Sequence, residues 1–291
     1  MAALRSLGAA LAFAVVASLS AALPAAADTP ATNVATPVDY WPACWPDATT
    51  MACYDAVLTD ISYARSLEGL TPMVLPVHFA ALDPARQTFV VTNLERSDRG
   101  LRPVAGLTAD LDAVAAAAVA AQTHPVFTSS HVGPMTGTWW TGVWAGAPNP
   151  LIADLLWMYE DGWSGTDTTN VDCTAADAAG CWGHRNNILS DFGGAGEIVA
   201  GVAAGGATST SIALVAVGGK GLLPPLRYLW SDALADGAGG AVALAAWGPM
   251  RPVLTAGATN VVVALSSHPV RKTKAKHHRR HRHVHRKASP A

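Results

Sequence analysis

The sequence predicts an α+β fold, because apolar residues recur at helical spacing in its first half and β-branched runs appear later. Those runs lie at Ile198–Val202, Ile212–Val217 and Val261–Leu265. Hydrophobic residues make up 51% of the 291 residues and charged residues 14%. This composition excludes a wholly disordered chain and is sufficient for a sizeable core.

The first predicted helix begins near Met51 and stops near Gly69. Its apolar face follows the i, i+3, i+4, i+7 spacing and is made by Tyr54, Val57, Leu58 and Ile61.

Three further helices are each predicted from a capping residue. Asp83 followed by proline begins the second helix, and Thr108 begins the third, which runs over 109–122. Asn149 followed by proline begins the fourth, which ends close to Glu160.

Composition and charge divide the chain into five segments. Arg5 followed by an apolar run that ends in an A-x-A site predicts a removable secretory signal. The expected segments are a signal peptide at 1–27, an extended lead-in at 28–47, a folded domain at 48–232, a C-terminal extension of that domain at 233–270 and a disordered, basic, histidine-rich tail at 271–291.

The charge distribution is strongly asymmetric. Residues 28–270 carry a formal charge of −12, whereas residues 271–287 carry +9 together with five histidines. We therefore expect no nucleic-acid binding by the acidic body. The tail is expected to hold anionic cell-envelope polymers, with folding back onto the body as the alternative.

The four cysteines form two local pairs in the sequence, and a secreted chain is expected to oxidise them. Three connectivities are compatible with the sequence. We favour Cys44 with Cys53 and Cys173 with Cys181, because short loops close at low entropic cost.

Common catalytic signatures are absent: the sequence has no G-x-S-x-G, no H-E-x-x-H and no P-loop. The charged group Glu95, Arg96, Asp98 and Arg99 has helical spacing, which favours structural ion pairs over a catalytic cluster.

The run Gly180–Leu189, which contains G-H-R-x-N-I-L, resembles the signature of bacterial members of the CAP superfamily of cysteine-rich secretory, antigen 5 and pathogenesis-related proteins. Segments in the same order as in that branch accompany it: Arg65–Leu75, Asn93–Leu101, Trp144–Leu151 and Trp157–Gly162. The resemblance covers residues 48–232. It implies a CAP-type α-β-α sandwich with a central antiparallel sheet, and a cleft that bears two histidines and two glutamates.

Only part of that histidine and glutamate set is present. The resemblance implies that His184 is the motif histidine and that Glu160 is one glutamate, whereas the second glutamate has no counterpart. His131 or His124 would stand for the other histidine. A divalent metal ion held by His184 and Glu160, with His131 as a weaker candidate, is one expectation; hydrogen bonding of His184 to backbone and pairing of Glu160 with Arg185 is the other.

Six of the ten tryptophans fall within 44 residues, a crowding that predicts either a ligand cleft or a filled core. The predicted cleft residues are His184, Glu160, Arg185, Trp144, Trp157 and Trp182.

The sequence therefore predicts a secreted CAP-domain protein, extracellular or associated with the cell wall, that binds a lipid or another apolar or envelope-derived ligand. A metal-assisted hydrolase of peptide or cell-wall substrates and an envelope-tethered interaction module are the alternatives. Fold alone does not decide among them.

Overall fold

The sheet and its covering helices are seen in the computed structural model, which describes residues 29–165, 170, 172–206 and 210–240. The helices are α1 (Trp41–Cys44), α2 (Met51–Leu67), α3 (Pro84–Ser97), α4 (Ala109–Ala121), α5 (Pro150–Tyr159), α6 (Gly183–Ile188) and α7 (Trp230–Ala235). The strands are β1 (Gly106–Leu107), β2 (Met135–Ala145), β3 (Glu197–Gly205), β4 (Ser211–Gly221) and β5 (Tyr228–Leu229). The predicted α+β class is confirmed.

The capping residues place the helices as predicted. The side chain of Asp83 accepts a hydrogen bond from the N–H of Arg86 at the start of α3. The side chains of Thr108 and Asn149 accept the corresponding hydrogen bonds at the starts of α4 and α5. In each case the donor is the backbone N–H three residues later. The predicted helix α2 ends at Leu67, just before the turn at Gly69.

The sheet is mixed, with strand order β2-β4-β3-β1-β5. Its long strands pair antiparallel, β2 with β4 and β4 with β3, whereas β1 runs parallel to β3. The expectation of a central antiparallel sheet is corrected to a mixed sheet, because Gly106 and Leu107 of β1 pair parallel to β3. β2 is an edge strand and was not predicted.

Helices lie on both faces of this sheet. Ile212, Leu214 and Ala216 of β4 pack into one core with α2, α3 and α5, while the alternate residues of β4 pack under α4. At Gly201 of β3, a Cβ atom would lie 2.0 Å from the backbone carbon of Leu111. Glycine at this position is what allows α4 to approach the sheet so closely.

Several predictions concern other parts of the chain. The lead-in at 28–47 contains the short helix α1, which the prediction of an extended segment missed. The signal peptide, the strand at Val261–Leu265 and the tail at 271–291 lie outside the described residues. No helix within the described ranges is long and apolar enough to cross a membrane.

Candidate functional site

A cavity of about 350 Å³ opens between the edge strand β2, helix α6 and the loop that precedes α6. This His184 pocket is lined by His124, Pro125, Trp140, Thr141, Gly142, Asp172, Gly180, Gly183, His184 and Asn187.

His184 is held in place by Asp161, whose side chain is 1% exposed. One carboxylate oxygen of Asp161 lies 2.7 Å from Nδ1 of His184, and the other accepts the backbone N–H groups of His184 and Arg185 at 2.7 and 3.2 Å. Because a carboxylate accepts only, Nδ1 carries the proton. Nε2 of His184 is then left as a hydrogen-bond acceptor and a base.

Burial raises the pKa of the Asp161 carboxyl, and the hydrogen bond and charge of His184 oppose that rise. Three N–H groups converge on the carboxyl, and such a set of donors stabilises the ionised form. The carboxylate also sits at the first turn of α6, where negative charge interacts favourably with the helix N-terminus.

A second imidazole lies against the first. The rings of His124 and His184 are stacked with their centroids 5.0 Å apart. Nε2 of His124 is 3.7 Å from a carboxylate oxygen of Asp172, and both side chains are about half-exposed. Burial, together with the neighbouring His184, lowers the pKa of His124. Each of the two imidazoles therefore has a carboxylate beside it.

The loop before α6 is fixed by covalent and polar links. The predicted disulfides are both confirmed, as Cys44–Cys53 and Cys173–Cys181. Asn170 donates from Nδ2 to the carbonyls of Asp161 and Gly180, the latter at 2.9 Å. Of these links, the Cys173–Cys181 disulfide and the hydrogen bonds of Asn170 hold the loop that leads to His184, whereas Cys44–Cys53 joins α1 to α2.

The opposite wall joins α6 to the edge strand. Nδ2 of Asn187 donates to the carbonyl of Gly142 at 3.0 Å, and Oγ1 of Thr141 donates to the carbonyl of Asn187 at 3.1 Å. The polar groups of the pocket are thus positioned by the protein itself.

Glu160 and His131, the predicted metal residues besides His184, lie at the end of α5 and in the turn before β2. Glu160 is the half-buried C-cap of α5, and its N–H donates to the carbonyl of Leu155. Nδ1 of His131 accepts the backbone N–H of Thr128, which makes His131 part of a local cap. A metal site on His184 and Glu160 stays a prediction, and the part of the chain described by the structure contains no cluster of three or more His, Cys, Asp or Glu suited to a metal ion.

Arg185 faces inward from α6 and is 1% exposed. Its guanidinium donates to the carbonyl of Met158 at 2.7 Å and lies 2.9 Å from a carboxylate oxygen of Glu68. Glu68 also pairs with Arg99, at 2.7 Å. Arg185 therefore anchors α6 to the body and does not line the pocket, which corrects its predicted place in the cleft.

Two of the three predicted cleft tryptophans belong to the core. Trp157 is 2% exposed and Trp182 is 6% exposed, whereas Trp144 is half-buried against the core under α4. Large indole rings are stabilised by this burial. The indole that lines the His184 pocket is Trp140, which is 41% exposed.

A second cavity, of about 390 Å³, adjoins the pocket because His124 lines both. It lies along α4 and is walled mainly by the small apolar residues Ala113, Val114, Ala117, Ala118, Ala121 and Val126. Four alanines of α4 thus face a groove next to the polar pocket.

No protein-family model, curated protein or solved structure matches this chain. Membership of the CAP superfamily therefore stays a prediction from the ordered sequence segments. The site itself is defined by its geometry, in which Asp161, a residue that sequence reasoning missed, positions His184.

Proposed function

We propose that this chain is a secreted CAP-type protein that binds an envelope-derived ligand in the His184 pocket. The observation that carries the proposal is a cavity of about 350 Å³ whose polar groups already have fixed positions. Open cavities of this size with one aromatic wall and a few oriented polar groups are typical of small-ligand sites.

The CAP assignment is supported by three observations. The motif around His184 begins the short helix α6, helices lie on both faces of the sheet, and two disulfides close local loops. Disulfides favour an oxidising compartment, in agreement with the proposed secretion. The parallel pairing of β1 with β3 is the feature that departs from the expected antiparallel sheet.

The proposal is tested by mass spectrometry of molecules that co-purify with the full chain under non-denaturing conditions, followed by binding of the purified protein to isolated cell envelopes. His184→Ala should abolish retention of the co-purified molecule. His78→Ala is the matched control, because His78 is exposed and does not line the pocket. Equal retention by both variants would contradict ligand binding at His184.

A hydrolase is the second candidate, and the hydrogen bond between Asp161 and His184 favours it. In such a pair the carboxylate orients the imidazole and leaves Nε2 without a proton, so that Nε2 can accept a proton from a water molecule bound in the pocket. A divalent metal held by His184 and Glu160 would be an additional means of activating that water. Screens for peptidase and muramidase activity, with and without added metal, test this candidate; activity that Asp161→Asn does not reduce would exclude the pair from catalysis.

The tail provides a third proposal, envelope attachment through residues 271–291. A segment with a charge of +9 gains free energy by releasing the counterions of anionic polymers. Deletion of 271–291 should move the protein from the cell-wall fraction to the medium, and salt at about 0.5 M should release the full chain by screening. Equal partitioning of the full and truncated chains at low salt would contradict attachment.

A further inference from the structure

Trp140 exposes its indole in an unusual setting. It lies on the edge strand β2, and its cross-strand partner is Val217 of β4. The ring of Phe127 supports it, with centroids 5.7 Å apart. Although it has this support, Trp140 is 41% exposed and lines the His184 pocket.

The neighbouring residue provides an internal comparison. Trp139 is 60% exposed and does not line the pocket. Successive residues of a strand point to opposite faces, and the partner of Trp139 is Gly218 rather than Val217. The chain therefore carries two adjacent exposed indoles, of which one belongs to the cavity.

The polar groups around Trp140 are of the kind that bind hydroxyl groups. His124 and Asp172 are each about half-exposed at the pocket, and His184 presents Nε2 there because Nδ1 is bound to Asp161. Carboxylate oxygens accept hydrogen bonds, and neutral imidazoles both donate and accept them. Lowering of the pKa of His124 by burial and by His184 favours the neutral ring near pH 7.

These features together select a class of ligand. A pyranose ring has one face of C–H groups, which packs on an aromatic ring, and a rim of hydroxyl groups, which requires polar partners. An alkyl chain would displace water from the exposed groups of His124 and Asp172 without offering them hydrogen bonds, at a cost in free energy. The cavity volume, about 350 Å³, lies at the small end of the range of roughly 300–1,000 Å³ for ligand sites and suits one or two sugar rings.

We infer that the His184 pocket is a sugar subsite, in which a pyranose ring stacks on Trp140 and its hydroxyl groups hydrogen-bond to His124, Asp172 and His184. This inference rests on the proposed function, since it names the ligand class of the same pocket. The envelope-derived ligand is then a glycan or the glycan part of a larger molecule.

The test is calorimetric titration of the full chain with neutral oligosaccharides of N-acetylglucosamine and of glucose, three to four residues long. Trp140→Ala should weaken binding at least about tenfold, because it removes the stacking surface. Trp140→Phe should recover part of the affinity. Trp139→Ala should bind like the parent chain, and thermal melting of all variants checks that they are folded.

The outcomes separate the sugar inference from the proposed function. Equal weakening by Trp139→Ala and Trp140→Ala would overturn stacking at Trp140. Absence of sugar binding, with envelope or lipid extracts still retained through His184, would overturn the sugar inference and leave the proposed function intact. If neither sugars nor envelopes bind, both are overturned.

Discussion

Asp161 determines the protonation pattern of His184, and replacing it tests the site most directly. Asp161→Asn keeps the shape of the side chain but gives it one acceptor oxygen and one N–H₂ donor group. The oxygen can retain the backbone N–H groups of His184 and Arg185, which both donate to the same carboxylate oxygen in the parent. The amide then donates to Nδ1, so the proton of the imidazole moves to Nε2 and the base facing the pocket is lost.

The stability cost distinguishes two substitutions. Asp161→Asn should destabilise by about 1 kcal/mol, because it weakens one hydrogen bond. Asp161→Ala removes all three hydrogen bonds from a carboxyl that is 1% exposed. Since each hydrogen bond contributes a net stabilisation of about 1 kcal/mol, the loss of all three should lower the free energy of unfolding by roughly 3 kcal/mol. That loss corresponds to a fall in Tm of roughly 6–12 °C for a domain of this size.

The measurements are urea denaturation and thermal melting for stability, and ¹⁵N–¹H NMR of the histidine side chains for the tautomer. Asp177→Ala is the control, since Asp177 is exposed in the same loop region and should leave both quantities unchanged. If Asp161→Asn leaves the proton of His184 on Nδ1, or if Asp161→Ala melts within about 1 °C of the parent, Asp161 does not organise the site as argued.

Three further predictions concern other parts of the same structure. Glu95→Gln should lower the free energy of unfolding in urea by roughly 3–5 kcal/mol, because it removes the buried partner of Arg65; a loss below about 1 kcal/mol would contradict this. Replacing both Cys173 and Cys181 with serine should lower the free energy of unfolding by about 2.5 kcal/mol, since the disulfide closes a short loop. Calorimetry measures this loss, and an unchanged melting curve would contradict it. The pKa of His124 is lowered by burial and by the neighbouring His184, so the unfolded chain binds more protons and the free energy of unfolding should fall as pH decreases below about 6.5. Urea denaturation at several pH values should show that this free energy depends less on pH in His124→Gln than in the parent, and an equal dependence would contradict the argument.

The helices could be predicted because their signals are local. The capping side chains of Asp83, Thr108 and Asn149 each accept a hydrogen bond from a backbone N–H three residues later. Each cap therefore depends only on residues within one helical turn, which the sequence shows directly. The strand β2 was missed for a physical reason. An edge strand with a bulge between Thr136 and Trp139 does not alternate regularly between apolar and polar residues.

The two-residue strands β1 and β5 and the six-residue helix α6 carry too little local signal to be predicted. Their conformations depend on tertiary partners, since isolated elements of this length are not stable in water. The cysteine pairs were predictable because their separations along the chain are only nine and eight residues.

The site could be predicted only in part. Sequence reasoning found His184 from its motif, whereas Asp161 acts across a separation of 23 residues and follows the more conspicuous Glu160. The tryptophans were ambiguous for a similar reason. Helix α5 is buried around almost its whole circumference, so Trp157 faces the core whichever side it takes.

Helix α6 shows how the fold compensates for weak local structure at the site. Asp161 binds the N–H groups at its first turn, and Nη1 of Arg96 donates to the carbonyl of Ile188, its last residue, at 2.6 Å. Burial lowers the pKa of Arg96 to about 10, so it stays charged at neutral pH and binds the carbonyl end of the helix favourably. Since Arg185 also joins α6 to Glu68, the position of the His184 imidazole depends on groups from α3, from the end of α2 and from the loop after α5. Substitutions in that buried ionic network should therefore alter ligand binding without touching the pocket.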